Sequence, residues 1–116
     1  MHELYIAQCI LNSALEALPT DVLPESVRKL QVQVGQLDAV DNENLMFLFE
    51  AIKSSQGMTG AELELETINV KCRCNDCAHE FGIDLPVFLC PKCGSGQVKV
   101  FQGRGITLTR IIAEES

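Results

Sequence analysis

Two Cys-x-x-Cys pairs, Cys74-Asn75-Asp76-Cys77 and Cys90-Pro91-Lys92-Cys93, separated by twelve residues, constrain this chain more than any other feature. In each pair the two-residue spacer lets the backbone turn tightly enough for both sulfurs to reach one ion. Gly94, directly after the last cysteine, permits the positive φ that such a turn often needs. Pro91 pre-sets φ at the turn entry. Two such knuckles supply a tetrahedral four-thiolate site suited to zinc, with Zn–S near ~2.3 Å. Four thiolates fill the coordination sphere and leave no open position for substrate or water, so the site reads as structural rather than catalytic.

Five of the six cysteines fall within residues 72–93. The N-terminus carries no signal pattern, because Glu3 and Gln8 interrupt its apolar run, and clustered cysteines in that setting favour metal over a disulfide framework. Cys72 would share a side with Cys74 in an extended strand, as a spare ligand or a bystander. Cys9 is expected to pack on the first helix. His79, two residues past a ligand, is either a loop histidine or a transient exchange ligand.

The flanking sequence predicts an α+β fold. Leu4, Ala7, Leu11, Leu15 and Leu18, widened by Ile10 and Ala14, give a helical stripe over 3–18, closed by Pro19. Residues 29–34 alternate, with Leu30, Val32 and Val34 apolar, and predict a half-buried strand ending at Gly35. A second helix is expected at 42–55, burying Leu45, Leu48, Phe49 and Ile52, with Gly57 as its stop. Residues 62–66 alternate again, and a phase slip near Thr67–Ile68 predicts a bulge or bend. Ile106, Leu108, Ile111 and Ile112 read as a last strand. The expected architecture is a three-stranded sheet with two helices on one face. A zinc-ribbon segment is inserted between its second and third strands. This divides the chain into a discontinuous domain of residues 1–70 and 105–116 and a zinc-binding domain of residues 71–104. Poor in apolar residues, the inserted segment needs something other than a core to hold it.

The chain has 116 residues and a net charge of −7. That charge argues against phosphate-driven nucleic-acid binding. Within 71–104 there are five basic residues (Lys71, Arg73, Lys92, Lys99, Arg104) against three acidic ones (Asp76, Glu80, Asp84), and the remaining residues carry a net −9. A zinc tetrathiolate brings the segment near neutrality, and no basic stripe with interleaved aromatics is present. An oxidoreductase or zinc hydrolase is disfavoured by the closed metal site, the two histidines and the lack of a strand-to-helix setting around either cysteine pair. No apolar run approaches the ~20 residues that span a membrane. A soluble, cytoplasmic protein, monomeric or weakly dimeric, is expected.

The chain begins Met1-His2-Glu3. A histidine at position two sets its imidazole and backbone nitrogen within chelate-ring distance of the terminal amine, and nitrogen-rich planar sets suit Ni(II) or Cu(II). The order of Met1-His2-Glu3, Val34-Gly35, Asp41 before the second helix, the paired Cys-x-x-Cys knuckles and a final strand resembles the HypA/HybF family of hydrogenase-maturation nickel chaperones over the whole chain. The resemblance implies a nickel-carrying protein that is not an enzyme. His2 and Glu3 would hold nickel as cargo with Asp41, a residue equally placed to cap the second helix; Asp38 is a weaker substitute. It also implies as partners a nickel-handling GTPase, the large subunit of a [NiFe] hydrogenase and, in some organisms, urease maturation. The first helix, adjoining the nickel site, is the expected place of the GTPase contact.

Overall fold

The computed structural model describes residues 2–83 and 87–114. Met1 of the terminal motif and Asp84 of the charge count lie outside the described residues. In chain order the elements are helix α1 (Glu3–Ala17), strand β1 (Val27–Gly35), helix α2 (Asn42–Ile52) and strands β2 (Glu62–Ile68), β3 (Lys71–Cys74), β4 (Glu80–Gly82), β5 (Val98–Gln102) and β6 (Ile106–Ala113). Short 3-10 turns lie at Pro24–Ser26, Gln36–Asp38 and Lys53–Gln56.

Helix α1 buries Ile6, Ala7, Ile10, Leu11 and Ala14, a stripe at three- and four-residue spacing. The stripe is rotated slightly from the expected one: Ile6 is inside, while Leu4 is 45% exposed. Leu18 turns to an extended ψ of 134° before Pro19, which stops the helix. Helix α2 buries Leu45 and Phe49 fully. It ends at Ile52, earlier than expected, and continues as the 3-10 turn to Gly57 at φ +80°.

Two three-stranded sheets form, in the orders β2-β1-β6 and β4-β3-β5. In the first, β1 and β2 run parallel from Lys29↔Glu62 to Gly35↔Ile68. Parallel neighbours need a crossover, and α2 supplies it. Both helices join the core formed by Leu30, Val32, Val34 and Leu63. The opposite face is polar and is tied by Lys29–Glu64 at 3.0 Å and Gln31–Glu64 at 3.0 Å.

No bulge interrupts β2 against β1. Thr67 keeps the parity of Leu63 and Leu65, and its hydroxyl accepts from the Asn42 side chain (3.2 Å) at the start of α2. Register shifts lie instead between β1 and β6, one at Val27/Lys29 and one where Gln31 faces Arg110 but Val32 faces Leu108. Skipping Thr109 resets the parity of β6, so Ile106, Leu108 and Ile111 all pack on the core.

The second sheet was not anticipated from sequence. It lies within the inserted segment, which the chain enters through Asn69–Val70 and leaves through Gly103–Gly105. The two crossings touch. A Cβ on Gly103 would lie 2.7 Å from Val70 Cα, and one on Gly35 would lie 2.4 Å from the Gly103 oxygen. The turn after β1 grips both crossings. Leu37 donates its N–H to the Gly103 carbonyl (3.0 Å), Val70 donates to Gln36 Oε1 (3.0 Å) and Gly105 donates to Asp38 Oδ2 (2.6 Å). No helix among the described residues is long and apolar enough to cross a membrane.

Candidate metal centre and N-terminal site

The first knuckle leaves β3 and the second precedes β5. In each, the residue after the second cysteine closes the turn: Ala78 donates to the Cys74 carbonyl (2.9 Å) and Gly94 to the Cys90 carbonyl (2.8 Å). Both residues are left-handed, Ala78 at φ +62° and Gly94 at +74°. Gly94 meets the sequence expectation, whereas Ala78 adopts a conformation that side chains other than glycine rarely hold. The knuckles are also tied to each other. Asn75 donates to the Gln97 carbonyl (2.7 Å), and the Ser95 hydroxyl donates to Asp76 Oδ2. Neither Ser95 nor Ala78 carried a signal in the sequence.

The sulfurs of Cys74, Cys77, Cys90 and Cys93 lie within 4.8 Å of one another. The pairs Cys74–Cys93 and Cys77–Cys90 are each 3.6 Å apart. Tetrahedral zinc with Zn–S near ~2.3 Å needs sulfurs about 3.8 Å apart, so the donor set fits the ion. Backbone N–H groups also point at the sulfurs. At Cys90, burial disfavours the thiolate. It is outweighed by the N–H groups of Cys93 and Lys92 and by the Cys77 and Cys93 thiols, and the pKa falls to about 7. At Cys93 the Ser95 N–H favours the thiolate. Proton sharing with Cys74, burial, and sharing with Cys77 and Cys90 outweigh it and push the pKa up to about 12.

Cys72 is fully buried and stands outside the four-sulfur group. Burial pushes its thiol up, against the Arg104 charge. His79 stacks on Phe81 with ring centroids 5.9 Å apart, and its carbonyl accepts from Cys74 N–H (2.9 Å).

At the other site, Asp41 is the N-cap of α2, and its Oδ1 accepts from the Asn44 N–H (3.1 Å). Glu3 reaches the same helix end, accepting from the Asp41 N–H (3.4 Å) and the Asn44 side chain (3.2 Å). Partial burial of Glu3 opposes ionisation, but those donors and its own N–H hold its carboxyl below the usual range. The tie is therefore present at neutral pH and is lost as pH falls through that lowered value. Asn44, at the third helical position, was overlooked in the sequence, although that position is where an N-terminal cap closes. His2 is exposed beside Glu3. Among the described residues only the four cysteines are gathered closely enough to share one ion, so His2, Glu3 and Asp41 are neighbours but not a closed set. Asp38 faces Gly105 instead. Asp41→Ala is expected to cost about 1 kcal/mol of stability through the lost cap, and Asp41→Asn much less. Thermal melts of the two variants would separate capping from any metal role.

A two-sheet protein with four thiols gathered closely enough to hold one metal ion is the class that fold and site define. The sequence model of a family described as "Hydrogenase/urease nickel incorporation, metallochaperone, hypA" matches residues 1–113. The chain belongs to this family, whose members are metallochaperones of hydrogenase and urease maturation and not enzymes. It is 36% identical over 115 residues to the hydrogenase maturation factor HypA of Desulfosudis oleivorans, covering 99% of this chain and 100% of that one. It is 33% identical over 121 residues to HypA of Methanococcus maripaludis, covering 98% and 96%. The solution structure of the Ni metallochaperone HypA from Helicobacter pylori has the same fold, with a TM-score of 0.69, 23% identity and 97% of each chain covered.

Proposed function

We propose that the chain binds one Ni(II) at its N-terminus and hands it to the large subunit of a [NiFe] hydrogenase under assembly, and to urease where that enzyme is made. The observation carrying this reading is the placement of Glu3 against the helix end capped by Asp41, with His2 exposed beside it, in a chain that matches the nickel-incorporation family along 1–113. Nickel is cargo here. The His2 imidazole, backbone nitrogens of His2 and Glu3, and a carboxylate of Glu3 or Asp41 would receive it. Few contacts fix an exposed terminus, which suits release to an acceptor. Imidazole and amide nitrogens must lose protons to bind, so acid weakens nickel affinity.

The four cysteines hold zinc as a structural ion in a unit spanning residues 71–104, while residues 1–70 and 105–116 form the nickel-handling part. The fit of the sulfur spacing to tetrahedral zinc supports the ion, and the two separate sheets support the division. A nickel-handling GTPase engages α1, and the protein works in the cytoplasm.

Ni(II) titration of zinc-loaded protein with a native N-terminus, beside His2→Gln and an N-terminally extended form, tests this reading. The unaltered chain is expected to bind about one nickel at micromolar concentration or tighter. Both altered forms should lose that site and keep zinc. Equal nickel binding by all three forms, or by none, would discard the terminal site.

A further inference from the structure

The second sheet has two unlike faces. On one, Cys72 and Cys74 are buried. The other is exposed and basic. Lys71 and Arg73 alternate outward on β3, and Lys99 and Phe101 alternate outward on β5. The register lines these residues up: Arg73 lies between Glu80 and Lys99, and Lys71 lies between Gly82 and Gln102. A register shift opposite Lys71–Cys72 falls at Phe101, whose ring is 50% exposed. Lys71, Glu80, Phe81, Gly82, Phe101 and Gln102 line a groove of about 310 Å³ there. It stays open because Gly82 contributes no side chain beside Lys71. Arg73 is partly neutralised by Glu80 at 3.5 Å. Neither Lys71 nor Lys99 forms an ion pair among the described residues.

We infer that this face is a docking surface for an extended acidic segment of a partner protein. The inference does not depend on where nickel binds. Charge carries it: residues outside 71–104 sum to −9. Zinc-bound thiolates bring the segment as a whole near neutrality, but Lys71, Arg73 and Lys99 stand outward together on this face against Glu80 alone among the described residues. An acidic partner is therefore steered here rather than to the rest of the molecule. Geometry sets the form of the ligand. Lys71 and Arg73 are two residues apart on one strand, a spacing of about 6.8 Å, which is also the spacing of alternate side chains on an extended peptide. Carboxylates at alternate positions therefore meet successive cations, and one apolar side chain in the segment covers Phe101.

The test is an amide-shift NMR titration of the full zinc-loaded chain. The probe is an acetylated octapeptide of alternating glutamate and serine with one central leucine, set beside the same peptide with glutamine for glutamate. The expected result is shifts concentrated at Lys71, Arg73, Lys99 and Phe101 with the acidic peptide alone. Lys71→Glu with Lys99→Glu should weaken binding about tenfold or more. The milder Lys71→Gln with Lys99→Gln serves if reversal disturbs the fold, and zinc content is checked in both. No binding, shifts on other faces, or undiminished binding to the altered chains would overturn the inference. So would tighter occupation of the same amides by a ten-nucleotide oligothymidylate, which would make this a nucleic-acid surface.

Discussion

Cys90→Ser is expected to abolish stoichiometric zinc and to unfold the second sheet while leaving the first intact. Cys90 is buried, and its sulfur lies 3.6 Å from that of Cys77. Binding of a structural zinc contributes on the order of 10–16 kcal/mol to folding of small zinc units. The second sheet has little else to rest on. Among the described residues, those buried beyond the ligands are Val70, Cys72 and Gly103, whereas the first sheet has both helices against it. Zinc analysis and amide exchange would check this: protection at β3 and β5 should vanish, and protection in β1 should persist. Cys72→Ser is the control and should retain zinc, because that thiol stands outside the cluster. Acid should act in the same direction as Cys90→Ser. In the metal-free cluster Cys90 is lowered to about 7, but Cys93 is raised to about 12. Zinc must therefore displace protons, and its affinity falls as pH falls.

Gly103→Ala is expected to destabilise the chain by about 3 kcal/mol, from a strained backbone conformation and overpacking together. Gly103 sits at φ +103°, and an added Cβ would meet Val70 Cα at 2.7 Å and the Asn69 oxygen at 3.0 Å. These neighbours are backbone and cannot swing aside as a side chain would. The effect should appear as a drop of roughly 10 °C in Tm. Gly105→Ala is the comparison. Gly105 is also left-handed, at φ +91°, but nothing lies within 4 Å of its added Cβ, so only the conformational cost applies. Equal losses at the two positions would show that crowding at the crossing is not the cause.

The parts of this fold that could be read from sequence are those whose signal is local. The cysteine spacing, the apolar stripe around Ala7, Leu11 and Ala14, the alternation of Leu30, Val32 and Val34, and the stop at Gly57 each follow from residues within a few turns of chain. The second sheet was missed because its strands are short and their inward positions are partly cysteines. Cys72 and Cys74 of β3 read as metal chemistry rather than as alternation. The break in alternation at Thr67–Ile68 is present in the burial pattern, but it marks an exposed Thr67 bonded to Asn42 near the strand end and not a bulge, because the pairing with β1 continues through it. Nothing in the sequence marks the Gln36 grip on Val70, which spans 34 positions and depends on how the two crossings meet. In the terminal site, Asp41 was legible as a cap, but the contact of Glu3 with Asn44 joins residues 41 positions apart.

The grip of the 36–38 turn has a mechanical consequence. The molecule is 56 Å long and 25 Å across, with the thiol cluster in the sheet beyond the two crossings. A partner holding that end holds a lever, and the turn at Gln36–Asp38 is its fulcrum. Swinging the lever must either break the bonds to Val70, Gly103 and Gly105 or drag the turn along. Three residues beyond the turn, Asp41 caps α2 and donates its N–H to Glu3. A load applied at one end is thereby delivered as torque at the foot of that helix, beside His2.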